Sequence, residues 1–172
     1  WDFSLVDPDN RRPVDYKLRR QLLAEIERRT KGDPAAFAAE LLRTREDGRI
    51  KLHVTHRCLS ARRDQPELFL DGDYTPLRAK GPKAAHVCAF ARASASGAVA
   101  LAVAPVLIGN LLGSASEPVG EDVWAATSLV VPQRLGCRFR NLFTGELLEA
   151  KGSGLALRDI MAGFPVALLI TK

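Results

Sequence analysis

A change of period at Pro66 constrains this chain more than any other feature. Before it, apolar residues recur at helical spacing. After it, they come in short or alternating runs divided by turn residues. A helix gathers side chains on one face when they repeat every three or four residues, and a strand does so at every second. A chain that switches from one period to the other builds a helical layer and a sheet layer, an α+β architecture.

The first part carries explicit start and stop signals. Asp15 reads as an N-cap, with Leu18, Leu22 and Ile26 following at every fourth position. Gly32 closes that helix. Asp33-Pro34 opens the next, because Asp caps free N–H groups and Pro suits the first helical position. Phe37, Leu41 and Leu42 form its apolar stripe, and Gly48 is the natural stop. A third helix is predicted over 49–63. Ile50, Val54, Cys58 and Ala61 lie on one side, and Leu52 and Leu59 on another, so it should pack between two structures.

Beyond Pro66, strands are predicted at 74–80, 86–92, 98–106, 123–131, 138–143, 146–150 and 166–171. Residues 155–162 read as a strand or as one turn of helix. Short strands with regular turn signals argue for an antiparallel β-sandwich of about a hundred residues, a common domain size. The domain boundary therefore falls at 1–66 and 67–172.

Charge raises the question of nucleic acid, since the net charge is +5 and the pI about 9.4. The excess lies in Arg19-Arg20, Arg28-Arg29 and Arg62-Arg63, each beside acidic or apolar residues. No recognition motif accompanies them, so they read as solvated helix faces and no nucleic-acid partner is expected. Cys58, Cys88 and Cys137 are widely spaced, with no CxxC. They read as reduced, mostly buried thiols of a cytoplasmic protein. No signal peptide is evident, and the longest apolar run, 98–112, is broken by Pro105 and Gly109. No membrane partner is expected.

Candidate site residues concentrate at the start. Residues Trp1 to Tyr16 are dense in hydrogen-bonding groups, carry two prolines and precede any recognisable element. The only Met is Met161, which suggests that the rest of a site lies upstream. Asp7 and Asp9 flank Pro8 and suit either turn formation or ligand contact. Asn10, Arg11 and Arg12 follow, and Arg offers a rigid fork of donors. Trp1 and Phe3 suit either stacking or core packing. His53 and His56 lie three apart on the third helix, but no third ligand is evident, so no metal is expected and both read as satisfied helix histidines. The cysteines have no nearby base that would make a nucleophile. Tyr74, Trp124 and Phe139 suit a carbohydrate platform, with core packing preferred because aromatics dominate sandwich cores.

Several segments together resemble the malto-oligosyltrehalose synthase family of the α-amylase superfamily (glycoside hydrolase family 13), in its C-terminal portion. They are Trp1 to Tyr16, Gly48-Arg49-Ile50-Lys51-Leu52, Pro66-Glu67-Leu68-Phe69, Gly72 to Leu77, Val87 to Arg92, Thr144-Gly145-Glu146 and Phe164 to Leu169. The resemblance implies that residues 1–66 are the last loop and helices of a (β/α)8 barrel, with the opening loop at its C-terminal face. Residues 67–172 would be the following β-sandwich. It implies an isomerase of trehalose biosynthesis that turns the reducing-end α-1,4 bond of a maltodextrin into an α,α-1,1 bond by a retaining mechanism. The substrate-binding residues implied are Asp7, Asp9, Asn10, Arg11 and Arg12. The catalytic carboxylates would lie on earlier barrel strands, so none is assigned here, and no cofactor is implied. The partners implied are maltodextrin and the missing N-terminal barrel portion, and the chain alone should be inactive. The chain departs from the family at Val106, where Arg is usual, and at Ala125-Ala126, where a Gly-Asp-like turn is usual. A different class remains open: a carbohydrate-binding or structural β-sandwich module without chemistry. So does the C-terminal part of another hydrolase or branching enzyme of the superfamily.

Overall fold

The computed structural model describes residues 13–171. Its first helices begin where side-chain oxygens satisfy free backbone donors. Asp15 Oδ1 accepts from Leu18 N at 2.8 Å and opens α1, Tyr16–Thr30. Asp33 Oδ1 accepts from Ala36 N at 3.0 Å and opens α2, Pro34–Arg43. A 3₁₀ turn, Arg45–Asp47, follows, and Gly48 ends that turn rather than α2 itself, at φ 77°. α3 runs Arg49–Asp64.

The change of period does not stop the helical chain at Pro66. Pro66 sits at φ −60°, ψ −41°, and a wide π-type turn, Glu67–Asp71, follows it. The proline ring fixes a φ that already suits a helix, so at a helix start it does not break the run. The sheet begins only after Gly72. A Cβ there would stand 2.4 Å from the Leu68 carbonyl oxygen and 2.9 Å from that of Ala93. Only glycine lets the turn approach the sheet that closely.

The strands are β1 (Asp73–Leu77), β2 (Ala79–Lys80), β3 (Val87–Ala93), β4 (Val99–Pro105), β5 (Ser128–Val130), β6 (Arg138–Asn141), β7 (Leu147–Glu149), β8 (Gly154–Ala156) and β9 (Ala167–Thr171). They form a six-stranded sheet, β1-β3-β4-β9-β6-β7, and a three-stranded sheet, β2-β5-β8. Every pairing is antiparallel. Alternation sends Ala91, Val99, Leu101, Val103, Phe139 and Leu169 inward, where they meet Leu129 and Leu155 of the smaller sheet.

Three short helices complete the chain: α4 (Ile108–Leu112), α5 (Glu121–Trp124) and α6 (Leu157–Ile160). The strand expected over 123–131 shrinks to β5 because Val123 and Trp124 belong to α5. The indole of Trp124 is fully buried, and its Nε1 donates to the Pro118 carbonyl at 2.9 Å, which holds the chain in a turn there. Residues 155–162 are both of the predicted alternatives in succession, the end of β8 and then α6. Ala125 ends α5 at φ 45°, a conformation that favours glycine. The Ala125→Gly variant is expected to be more stable by about 1 kcal/mol, measured by urea unfolding. A lower midpoint in the variant would contradict this.

A second core joins the helices to the outer face of the large sheet. Ile26, Phe37, Leu41, Ala61 and Leu68 meet Ala100, Phe143, Phe164 and Leu168. Ile26 and Leu41, the stripes of the first two helices, are fully buried within this chain. The outer sheet face supplies the missing layer. Leu18 and Leu59 remain exposed, as do Val14 and Tyr16. So α3 packs against α1 and α2 and against the sheet side, through Ile50, Leu52, Val54, Cys58 and Ala61, and is bare only at Leu59.

Arg49 fastens the three helices together. Its guanidinium reaches Glu25 of α1 at 2.8 Å, Asp47 at 2.8 Å and Glu40 of α2 at 3.3 Å. Arg29 holds the same Glu40 at 2.5 Å. The hydrogen bond from Arg29 lowers the Glu40 pKa, against the effect of burial, and the charges of Arg29 and Arg49 add to it. Arg28-Arg29, read from sequence as solvated, is thus half engaged in a network, whose geometry matters more than any single surface pair.

Candidate functional site

The five residues singled out in the opening loop, Asp7, Asp9, Asn10, Arg11 and Arg12, lie outside the described residues, as do Trp1 and Phe3. Among the described residues, two clefts flank α3.

The first lies between the C-terminal half of α3 and the outer sheet face. It holds about 410 Å³ and is lined mainly by Cys58, Leu59, Phe69, Phe90, Ala102 and Leu168, with Arg62 and Arg92 beside them. Arg92 donates to the carbonyls of Leu68 at 3.4 Å and Leu70 at 3.2 Å, which ties the π-type turn to β3. Burial raises the Cys58 pKa, and the charge of Arg57 only partly opposes it, so this thiol is a packing group and not a nucleophile. Tyr74 is exposed beside this face, with its ring 5.2 Å from that of Phe90 and tilted by 32°. The three aromatics considered together from sequence therefore divide. Trp124 and Phe139 are fully buried in the core, while Tyr74, on the edge strand β1, is exposed.

The second cleft, about 720 Å³, is polar. It runs between the end of α1, the other side of α3 and the outer side of β6 and β9, and its lining includes Lys31, His56, Arg57, Ser60, Arg63 and Arg140. Arg57 Nε donates to the Leu142 carbonyl at 2.9 Å. His56 Nε2 lies 3.3 Å from Glu27, and Arg63 Nε donates to Asp64 at 2.9 Å. The carboxylates of this cleft are therefore each held by a base, and its free chemistry is that of hydrogen-bond donors. Arg57 and Arg140 stand 83 positions apart in sequence. No spacing rule joins them. The only local signal was the strand alternation that turns Arg140 outward.

The histidine pair does not act as a pair. His53 is fully buried and points away from the polar cleft, into a cage of Phe37, Phe143 and Phe164, with ring centroids 5.7, 6.0 and 6.1 Å away. Neither of its ring nitrogens makes a hydrogen bond of good geometry, though the Phe143 backbone lies near enough to raise its pKa somewhat. It is a core histidine, surrounded chiefly by aromatic rings. Burial, with the charge of Arg57 adding, lowers its pKa to about 4. Among the described residues, no group of three or more His, Cys, Asp or Glu is placed to hold a metal. The thiols also differ from expectation: Cys88 and Cys137 are exposed, the first on the outer face of β3 and the second in the loop before β6. No helix among the described residues is long and apolar enough to cross a membrane.

Comparison with known proteins places the likeness in segments of much larger enzymes. The fold matches a solved structure of a mutant maltooligosyltrehalose synthase from Arthrobacter ramosus with a TM-score of 0.70 and 34% identity, over 100% of this chain and 19% of that one. In sequence the chain is 42% identical over 92 residues to putative maltooligosyl trehalose synthases from two strains of Mycobacterium tuberculosis. Those 92 residues are 54% of this chain and 9% of the relatives' length. No family model matches. The chain thus resembles maltooligosyl trehalose synthases both in sequence and in fold, as its motifs implied.

Proposed function

We propose that this chain is the C-terminal part of a maltooligosyltrehalose synthase, an isomerase that moves the reducing-end glucose of a maltodextrin from an α-1,4 to an α,α-1,1 linkage. The observation that carries the reading is the fold match over the whole chain at 34% identity. In this reading residues 1–66 close a (β/α)8 barrel and 67–172 form the sandwich behind it. The exposed apolar side chains of Val14, Tyr16 and Leu18 at the start of α1 support a further layer on that side. Asp7, Asp9, Asn10, Arg11 and Arg12 then belong to the loop at the barrel's C-terminal face, where they contact the sugar or hold the reacting groups in place. The setting is cytoplasmic, which suits the three free thiols.

The reaction needs two carboxylates. One attacks the anomeric carbon and displaces the reducing-end glucose. The second protonates the leaving oxygen, then takes a proton from the anomeric hydroxyl of the same glucose as it returns. Water must be excluded for glucose to win that competition. Both carboxylates lie, in this reading, outside the chain. Incubated with maltohexaose, the complete protein is expected to form a product without a reducing end, while the 172-residue chain forms none. Turnover by the chain alone would contradict the placement of the machinery. A rise in reducing ends with the complete protein would make it a hydrolase instead.

A further inference from the structure

The polar cleft beside α3 holds more positive charge than its own carboxylates answer. Glu27 is taken up by His56, and Asp64 by Arg63. Among the described residues, Arg57, Arg140 and Lys31, which line the same cleft, make no ion pair. Arg57 is half-buried, and its Nε is committed to the Leu142 carbonyl. That bond uses Nε, and the two terminal nitrogens make no hydrogen bond among the described residues. Arg140 faces it from β6, at the position paired with Ile170 of β9. Burial lowers the Arg57 pKa, and the charge of Arg140 lowers it further, so the two guanidinium groups repel across the space between them.

Two guanidinium groups that repel each other are stabilised by whatever brings two negative charges between them. Arg forks match the tetrahedral oxygens of phosphate, and several donors act on one anion at once. The cleft is also far larger than a phosphate alone, and the Ser60 side chain adds a partner suited to hydroxyl groups.

We propose that this cleft binds the phosphate monoester of a small polyhydroxy compound, with the phosphate between Arg57 and Arg140 and the hydroxyl-bearing part toward Ser60. The site uses none of the opening-loop residues and does not depend on the reaction proposed above. It is a binding site, with no bond made or broken.

Calorimetric titration of the 172-residue chain at low ionic strength tests it, with glucose 6-phosphate, inorganic phosphate and glucose as probes. Saturable binding of glucose 6-phosphate at millimolar concentration or tighter, and none of glucose, is expected. Arg140→Gln should weaken it at least about tenfold, since a hydrogen bond to a charged group is lost. Arg140 is exposed, so this change leaves the fold in place, which circular dichroism checks. Arg138→Gln, on the same strand but paired with Glu149, removes equal charge outside the cleft and should leave binding unchanged. Equal affinity for inorganic phosphate would support the anion site and name free phosphate as its occupant. No saturable binding of either anion below about 10 mM, or equal loss in both variants, would overturn it.

Discussion

Acidification from neutral pH to pH 5 is expected to remove about 2 kcal/mol of stability through His53 alone. The residue is buried among three phenylalanine rings, and burial lowers its pKa to about 4 from the ordinary 6.5, more than the Phe143 backbone raises it. The unfolded chain takes up a proton as the pH falls through 6.5, and the folded chain does not until about 4. Stability is therefore complete above 6.5 and falls with pH through that window, reaching a loss of about 3 kcal/mol near its lower end. Glu40 works at lower pH. Its pKa lies below the ordinary 4.5, so its contribution is lost only beneath that value. Urea unfolding at pH 7 and pH 5 isolates the histidine. The His53→Leu variant, which cannot charge, should show a much shallower slope between these two values. An unchanged slope would remove His53 from the account.

Phe164→Ala should cost about 3–5 kcal/mol, the usual loss when a buried phenylalanine leaves a cavity that its neighbours cannot fill. Phe164 is fully buried, with its ring 5.5 Å from that of Phe143 and 6.1 Å from His53. It packs with α2 and α3 on one side and with Leu168 of the large sheet on the other. The cavity would open in the seam between the layers, where collapse requires two rigid elements to move together. Denaturant midpoints for wild type and variant measure the effect. A loss below about 1 kcal/mol would mean that the helices are not held to the sheet through this contact.

The aromatic surroundings of His53 also explain a failure of sequence reasoning. At a spacing of three on one helix, His53 and His56 look equivalent, and nothing local distinguishes them. The tertiary structure does so by setting Phe143 and Phe164, from distant loops, against one of them and Glu27 of α1 against the other. The polar cleft was invisible for the same reason. Its two key arginines come from a helix and a strand that approach only when the second core closes.

What was legible from the sequence by itself was everything governed by near neighbours. The Asp15 and Asp33 caps, the three helices and most of the strands follow from hydrogen bonds and periodicities that span a few residues. The resemblance carried by the quoted motifs was legible too, and the fold and sequence comparisons agree with it. The tertiary structure alone decided what the helices rest on. A stripe such as Ile26 and Leu41 states that a face must be covered, and the outer face of the sheet covers it. It also decided the course of 121–130, where a buried indole outweighed strand alternation, and the continuation past Pro66, where the π-type turn and Gly72 lead the chain into the sheet. Apolar burial is non-directional. A sequence therefore shows which surfaces must be buried, and only the assembled chain shows against which partner.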